Sequence, residues 1–130
     1  MPSCSTPVTS GSLATSPAVT ITSPTVNVNN PSNAGMLIRV VVYWTPGATQ
    51  GLICKLYQAS TSGTQVGPSG GLEATATGTT ETGAVFEFVD TSAYANGTQG
   101  AVWVASLVTS TSTGTLDYGF FELEKLSPIQ

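Results

Sequence analysis

Histidine is absent from this 130-residue sequence, and charged side chains are scarce. Without histidine, the chain cannot form a Ser-His-Asp or Cys-His nucleophile system or a zinc site with histidine ligands. Its two cysteines, Cys4 and Cys54, are too few for an all-cysteine zinc site or a disulfide-rich scaffold. The Gly-rich stretch "GPSGG" lacks the lysine and the strand–helix context of a phosphate-binding loop. The sequence therefore predicts neither an enzyme nor a bound cofactor or metal.

Basic residues are especially few, with three against seven acidic ones and a net charge of −4. Arg39, Lys55 and Lys125 cannot form the basic patch that neutralises nucleic-acid phosphates or anionic lipids. No stretch approaches the roughly 20 apolar residues of a membrane helix. Residues 1–17 lack the basic and apolar segments of a secretory signal. We expect no nucleic-acid partner, no membrane partner and no export by a signal peptide.

Two single residues have local roles that the sequence suggests. Asp90 ends the segment "AVFEFVD" and precedes a Thr-Ser pair, which is typical of a carboxylate that accepts backbone N–H groups in a turn. A calcium ligand is the alternative, although the spaced ligands of a calcium loop are missing. Cys54 is predicted to be a small buried hydrophobic residue, with a disulfide to Cys4 as the alternative.

Apolar and polar residues alternate with a period of two in several short segments, which is typical of β-strands. Turns rich in Gly, Pro, Ser and Thr separate these segments, and none has the apolar spacing of an amphipathic helix. We expect about six to eight strands and almost no helix. The predicted fold class is all-β, an antiparallel β-sandwich that is jelly-roll-like and has an extended N-terminal arm.

Some predicted strands are apolar on both faces. In "MLIRVVVYW", one face holds Met36 and every second residue to Trp44, and the other holds Leu37, Arg39, Val41 and Tyr43. We interpret this segment as a central strand covered on two sides. A thick core and an outer face buried against other copies are the two alternatives. Scarce charge and surplus apolar surface favour a homo-oligomer.

Two further segments predict which side chains share a face. In "AVFEFVD", Phe86 and Phe88 are expected on one face with Asp90, and Val85, Glu87 and Val89 on the other. The last strand, "TLDYGFFELEKL", is expected to alternate in the same way. Its first face would hold Leu116, Tyr118 and Phe120.

Residues 1–24, rich in Ser, Thr and Pro, are predicted to be an extended arm, and residues 25–130 a single β-sandwich domain. The segment "VTITSPTVNVNNP" at the end of the arm alternates like a strand. It is either a flexible tail or a strand that adds to a sheet, its own or a neighbour's. The strand alternative makes four residues candidates for partner binding by strand addition: Val19, Ile21, Val26 and Val28.

The order of three segments resembles small jelly-roll proteins of tailed bacteriophages. These segments are "VVVYWTPGATQGLICKLYQASTSGTQVG", "AVFEFVDTSAYANGTQGAVWVASLV" and "GTLDYGFFELEKL", and the resemblance covers about residues 25–126. It is a pattern of strands and turns and not a catalytic signature. Proteins of this kind resemble capsid decoration (cement) proteins and fibre modules, which are usually trimers.

The resemblance implies a structural virion protein on the capsid surface. We expect a decoration protein that binds the major capsid protein and stabilises the phage head, as a homotrimer. The trimer is implied by the resemblance alone. The alternatives are a head-fibre, tail-fibre or spike module, or a carbohydrate-binding β-sandwich, for which Tyr94 in "SAYANG" is the candidate ligand contact.

Overall fold

The computed structural model describes residues 3–4, 11–28 and 34–126, with residues 3–4 described by their backbone alone. The strands are β1 (Ser3–Cys4), β2 (Gly11–Leu13), β3 (Val19–Thr22), β4 (Gly35–Pro46), β5 (Gln50–Gln58), β6 (Gln65–Val66), β7 (Leu72–Ala76), β8 (Thr82–Asp90), β9 (Trp103–Thr109) and β10 (Gly114–Leu126). A single helical turn, α1 (Ala93–Gly97), lies between β8 and β9. Within the described ranges, no helix has the length and apolar character needed to span a membrane.

The described strands pair antiparallel and in a nested order. Sheet A has the order β1-β10-β4-β8, with β2 also paired with β10, and sheet B has the order β3-β9-β5-β6, with β7 also paired with β5. Thus β2 pairs with β10, β3 with β9, β4 with β8 and β5 with β7. This nesting of early strands with late ones is the topology of an eight-stranded jelly roll. The predicted fold class, an antiparallel β-sandwich that is jelly-roll-like, is confirmed.

A single apolar core lies between the two sheets. Its largest fully buried side chains are Trp44, Trp103 and Phe121. Along β8, Phe86 and Phe88 are buried with Asp90, as the alternation predicts, and the residues between them are exposed. Because side chains alternate across a strand, the inner face of each sheet is fixed by this core, and its outer face is left for other contacts.

Part of the predicted N-terminal arm belongs to the sandwich. β2 and β3 lie within residues 1–24, and Leu13 and Ile21 are each 1% exposed in the core. A domain limited to residues 25–130 would lack two strands of the jelly roll, so the predicted boundary divides a folded unit. The sequence signal is weak here because each strand is only three or four residues long and pairs with a strand near the other end of the chain. The prediction for residues 1–2 and 5–10 lies outside the described residues.

An irregularity in β10 changes which side chains face outward. The register of β10 against β4 shifts between Leu116 and Tyr118, as in a β-bulge. Leu116 is fully buried, whereas Tyr118 is 36% exposed and Phe120 is half-buried. The predicted common face of these three residues is therefore wrong, because the extra residue, Asp117, reverses the alternation that follows it.

Candidate interaction surface

Among the described residues, the exposed large apolar side chains all lie on the outer face of sheet A. Tyr43 is 47% exposed, Val85 60%, Val89 53% and Tyr118 36%. They come from the strands β4, β8 and β10, which are neighbours in this sheet. Both faces of β4 are thus largely apolar, as predicted, but the outer face is open to solvent in the single chain.

The strand register brings these side chains into adjacent rows. Val41 lies between Phe120 and Val85, and the row beside it places Tyr43 between Tyr118 and Gly83. The rings of Tyr43 and Tyr118 have centroids 6.3 Å apart, and Tyr118 meets Phe120 edge-to-face at 5.7 Å. We call the set the apolar outer face. Its members are Leu37, Val41, Tyr43, Val85, Val89, Tyr118 and Phe120.

A row of ion pairs crosses the apolar outer face. Arg39 on β4 donates from Nε to Glu87 Oε2 at 2.9 Å and from Nη1 to Glu122 Oε1 at 2.8 Å. Glu122 lies on β10 and Glu87 on β8, so the row links three strands. The hydrogen bonds to Glu122 and Glu87 raise the pKa of Arg39 above its ordinary value. The guanidinium therefore has two partners already and stays charged.

Further carboxylates lie at the two ends of this face. Glu124 is exposed and stands opposite Leu37 in the register. At the other end, Asp117 Oδ2 accepts a 2.6 Å hydrogen bond from Thr45 Oγ1. Glu81 lies close enough to Asp117 for a hydrogen bond between the two carboxyl groups, which raises the pKa of Glu81. The apolar outer face is thus bordered by acidic groups.

The composition of this surface suits protein contact. Aromatic residues and arginine are enriched in the buried centre of protein interfaces, whereas lysine, glutamate and aspartate are depleted there, so the carboxylates of this face suit its rim. The outer face of sheet B is mixed, because Thr20, Lys55 and Ser106 lie side by side across its strands and the next row pairs Ile53 with Val108. It has no large apolar side chain that is exposed among the described residues. The alternation in the sequence placed Val85 and Val89 on the face opposite Phe86 and Phe88, but it did not predict that this face is an exposed contact surface. The signal that identifies them is the apolar pair on the back of "AVFEFVD", with only Glu87 between them.

Asp90 is tied into the core by three hydrogen bonds. The carboxylate is 3% exposed. Its Oδ2 accepts from Trp103 Nε1 at 3.0 Å and Gln58 Nε2 at 2.9 Å, and its Oδ1 accepts from the Ser92 backbone N–H at 3.0 Å. Burial alone raises the pKa of Asp90, but the bonds from Ser92, Trp103 and Gln58 outweigh it and lower the pKa. The predicted turn role is confirmed.

Cys54 and Tyr94 both have internal positions. Cys54 is a free thiol with no exposed surface, as predicted, and burial raises its pKa. The side chain of Cys4 lies outside the described residues. Tyr94 packs its ring edge-to-face against Trp103 at 5.5 Å. Its hydroxyl donates to the Val102 carbonyl and accepts from the Val102 N–H. Its role as a ligand contact stays a prediction.

The four residues predicted to bind a partner lie in the chain's own fold. Val19 and Ile21 are in β3, which pairs with β9. Val26 forms a β-bridge with Ala101, and Val28 is fully buried. On the side away from β9, no described strand pairs with β3, which leaves an edge for strand addition. Partner binding through these residues stays a prediction.

No family model matches the chain, and no curated protein matches its sequence. Its fold is similar to a chain in the structure of infectious bursal disease virus, Gx strain, with a TM-score of 0.51 and 16% sequence identity. The match covers 98% of this chain and 32% of that chain. This chain therefore spans about a third of the length of the viral chain. The likeness concerns the fold: a β-sandwich of a kind that also occurs in a virus structure.

Proposed function

We propose that the chain is a structural virion protein, a capsid decoration protein that binds and stabilises a bacteriophage head as a homotrimer. The observation that carries the proposal is the apolar outer face of sheet A. Exposed apolar side chains that are grouped together and rimmed by polar residues mark a surface that another protein covers. A decoration protein needs such a surface and a stable scaffold, and it needs no reactive group.

Two further observations support a role in a virus particle. The nested strand order is that of the jelly roll, which is frequent in viral capsid domains. The structural likeness to the viral chain covers nearly the whole of this chain, at 98%. The bacteriophage and the trimer come from the resemblance of the segments between residues 25 and 126.

We place a second contact with the major capsid protein at the edge of β3. Strand addition there would use backbone hydrogen bonds and would need no particular side chains. Val19 and Ile21 would take part by holding β3 against β9, since Ile21 anchors the strand in the core.

Cryo-electron microscopy of phage particles from the source of the chain tests the proposal. We expect density for the jelly roll on the head surface, in groups of three copies. Heads without any copy would refute the decoration role, and density on the tail would favour the fibre alternative. Light scattering of the purified protein gives the copy number independently, and a monomer would contradict the trimer.

A further inference from the structure

The charged residues on the apolar outer face and at its border together account for the net formal charge of the chain. Five of the seven acidic residues lie on it or at its border: Glu81, Glu87, Asp117, Glu122 and Glu124. Arg39 is the basic residue on this face. Lys55 lies on sheet B, and Lys125 follows Glu124 on β10 and alternates to the other face. Five carboxylates less one guanidinium give −4, which equals the formal charge of the chain.

This charge distribution disfavours a second copy as the occupant of the face. Two such faces in contact would bring together ten carboxylates and only two guanidinium groups. Each guanidinium group already has two carboxylate partners on its own chain. Like charges brought together across an interface disfavour the complex and suppress binding of the wrong partner. The face would therefore exclude its own copies and accept a surface of the opposite charge.

We propose that the apolar outer face docks onto a different protein, whose matching surface is apolar at its centre and bears lysine or arginine side chains around it. The basic groups would reach Glu124 at one end and Glu81 with Asp117 at the other. The apolar centre of the partner would cover the row of Val85, Val41 and Phe120. The inference rests on the proposed function in one respect, namely that this partner is the capsid shell protein.

The size of the face agrees with a large part of an interface. The apolar outer face is formed by three strands that lie side by side in sheet A, of which β4 is 12 residues long. With strands about 4.8 Å apart and about 30–40 Å long, these three measure roughly 430–580 Å². A partner in a standard interface contributes about 800 Å², so this face would supply more than half of it. The ladder between β4 and β8 is regular, and β8 carries no proline or lysine of the kind that protects an edge strand.

The test measures binding of the purified full chain to phage heads that lack it, by co-sedimentation at several salt concentrations. Val85→Lys places a charge in this apolar row, and Thr75→Lys is its matched control, since Thr75 is an exposed β-branched residue on the outer face of sheet B. Glu124→Lys reverses a border charge, and Glu73→Lys on sheet B is its control. Light scattering of each variant gives the oligomer mass.

We expect Val85→Lys to weaken head binding at least tenfold, since burial of a valine is lost and each 1.4 kcal/mol is tenfold. Glu124→Lys should weaken it several-fold, and added salt should weaken binding of the wild-type chain. Both controls should bind like the wild type, and Val85→Lys should leave the oligomer mass unchanged.

Other outcomes would overturn the inference in distinguishable ways. Loss of oligomer mass in Val85→Lys would show that a second copy covers the face. If both Val85→Lys and Glu124→Lys bind heads as tightly as the wild type, the proposed function remains, but the contact with the shell lies on another surface. A wild-type chain that does not bind heads would refute the proposed function and, with it, the occupant named here.

Discussion

Replacing Asp90 with asparagine should destabilise the fold by about 2–3 kcal/mol. The asparagine oxygen can keep the hydrogen bonds from Trp103 and Gln58, but its NH₂ group then faces the Ser92 N–H. A buried donor without a partner costs about 1–3 kcal/mol, and bonds to a charged acceptor are stronger than bonds to a neutral one. Removing the buried charge offsets part of this loss, because a neutral amide costs less to desolvate.

The effect should depend on pH. The pKa of Asp90 is lower in the folded protein than its ordinary value of 3.8. Its carboxylate therefore stabilises the fold fully at pH values above about 5, and this contribution is lost as the pH falls through the folded pKa. The difference in unfolding free energy between the wild type and Asp90→Asn should be constant near neutral pH and should decrease below about pH 4.

Urea denaturation followed by tryptophan fluorescence measures both effects, because Trp44 and Trp103 are buried. Glu124→Gln is the control, since Glu124 is an exposed carboxylate and surface substitutions usually change stability by less than about 0.5 kcal/mol. A loss of less than about 0.5 kcal/mol in Asp90→Asn would refute the reasoning, as would a difference that persists undiminished at pH 2.

Three further predictions concern other parts of the core. Ile21→Ala should lower the unfolding free energy by about 2–4 kcal/mol. Thr20→Ala, at an exposed position on the same strand, should lower it by much less. Equal melting temperatures of the two variants would mean that β3 is not part of the fold. In a Cys4→Ser background, Cys54 should react with a thiol reagent only at the rate of unfolding, because the thiol is buried and burial raises its pKa. Immediate reaction of Cys54 in the folded protein would contradict its burial. Tyr94→Phe should cost about 1–2 kcal/mol in urea denaturation through the loss of two hydrogen bonds, and unchanged stability would show that the hydroxyl is dispensable.

The fold class and the faces of β4 and β8 could be predicted because period-two alternation is a local property. β4 extends over 12 residues and β8 over nine, so their inner and outer sets are evident in the sequence. The local turn role of Asp90 was also predictable, since it follows from one residue type at the end of a strand. The hydrogen bond that Asp90 accepts from Trp103 Nε1 could not be predicted, because it depends on the tertiary fold.

The remaining features depend on pairing between distant segments. β2 and β3 have few apolar residues, and their place in the sandwich is set by β10 and β9, which follow near the end of the chain. The bulge at Asp117 is not visible as a break in composition. It is defined only by the register against β4. The outer-face residues of β4 and β8 followed from the alternation, whereas those of β10 did not, because the bulge decides where Tyr118 and Phe120 point.

The bulge links the fold to the proposed interaction surface. With uninterrupted alternation, Tyr118 and Phe120 would share the inner face with Leu116, and Phe121, which is buried in the core, would turn outward. One extra residue turns both aromatic side chains outward beside Tyr43 and places the Asp117 carboxylate at the border of the same face. The aromatic centre and part of the acidic border therefore have one structural origin. This favours a surface shaped for contact, since bulges commonly redirect side chains at functional sites.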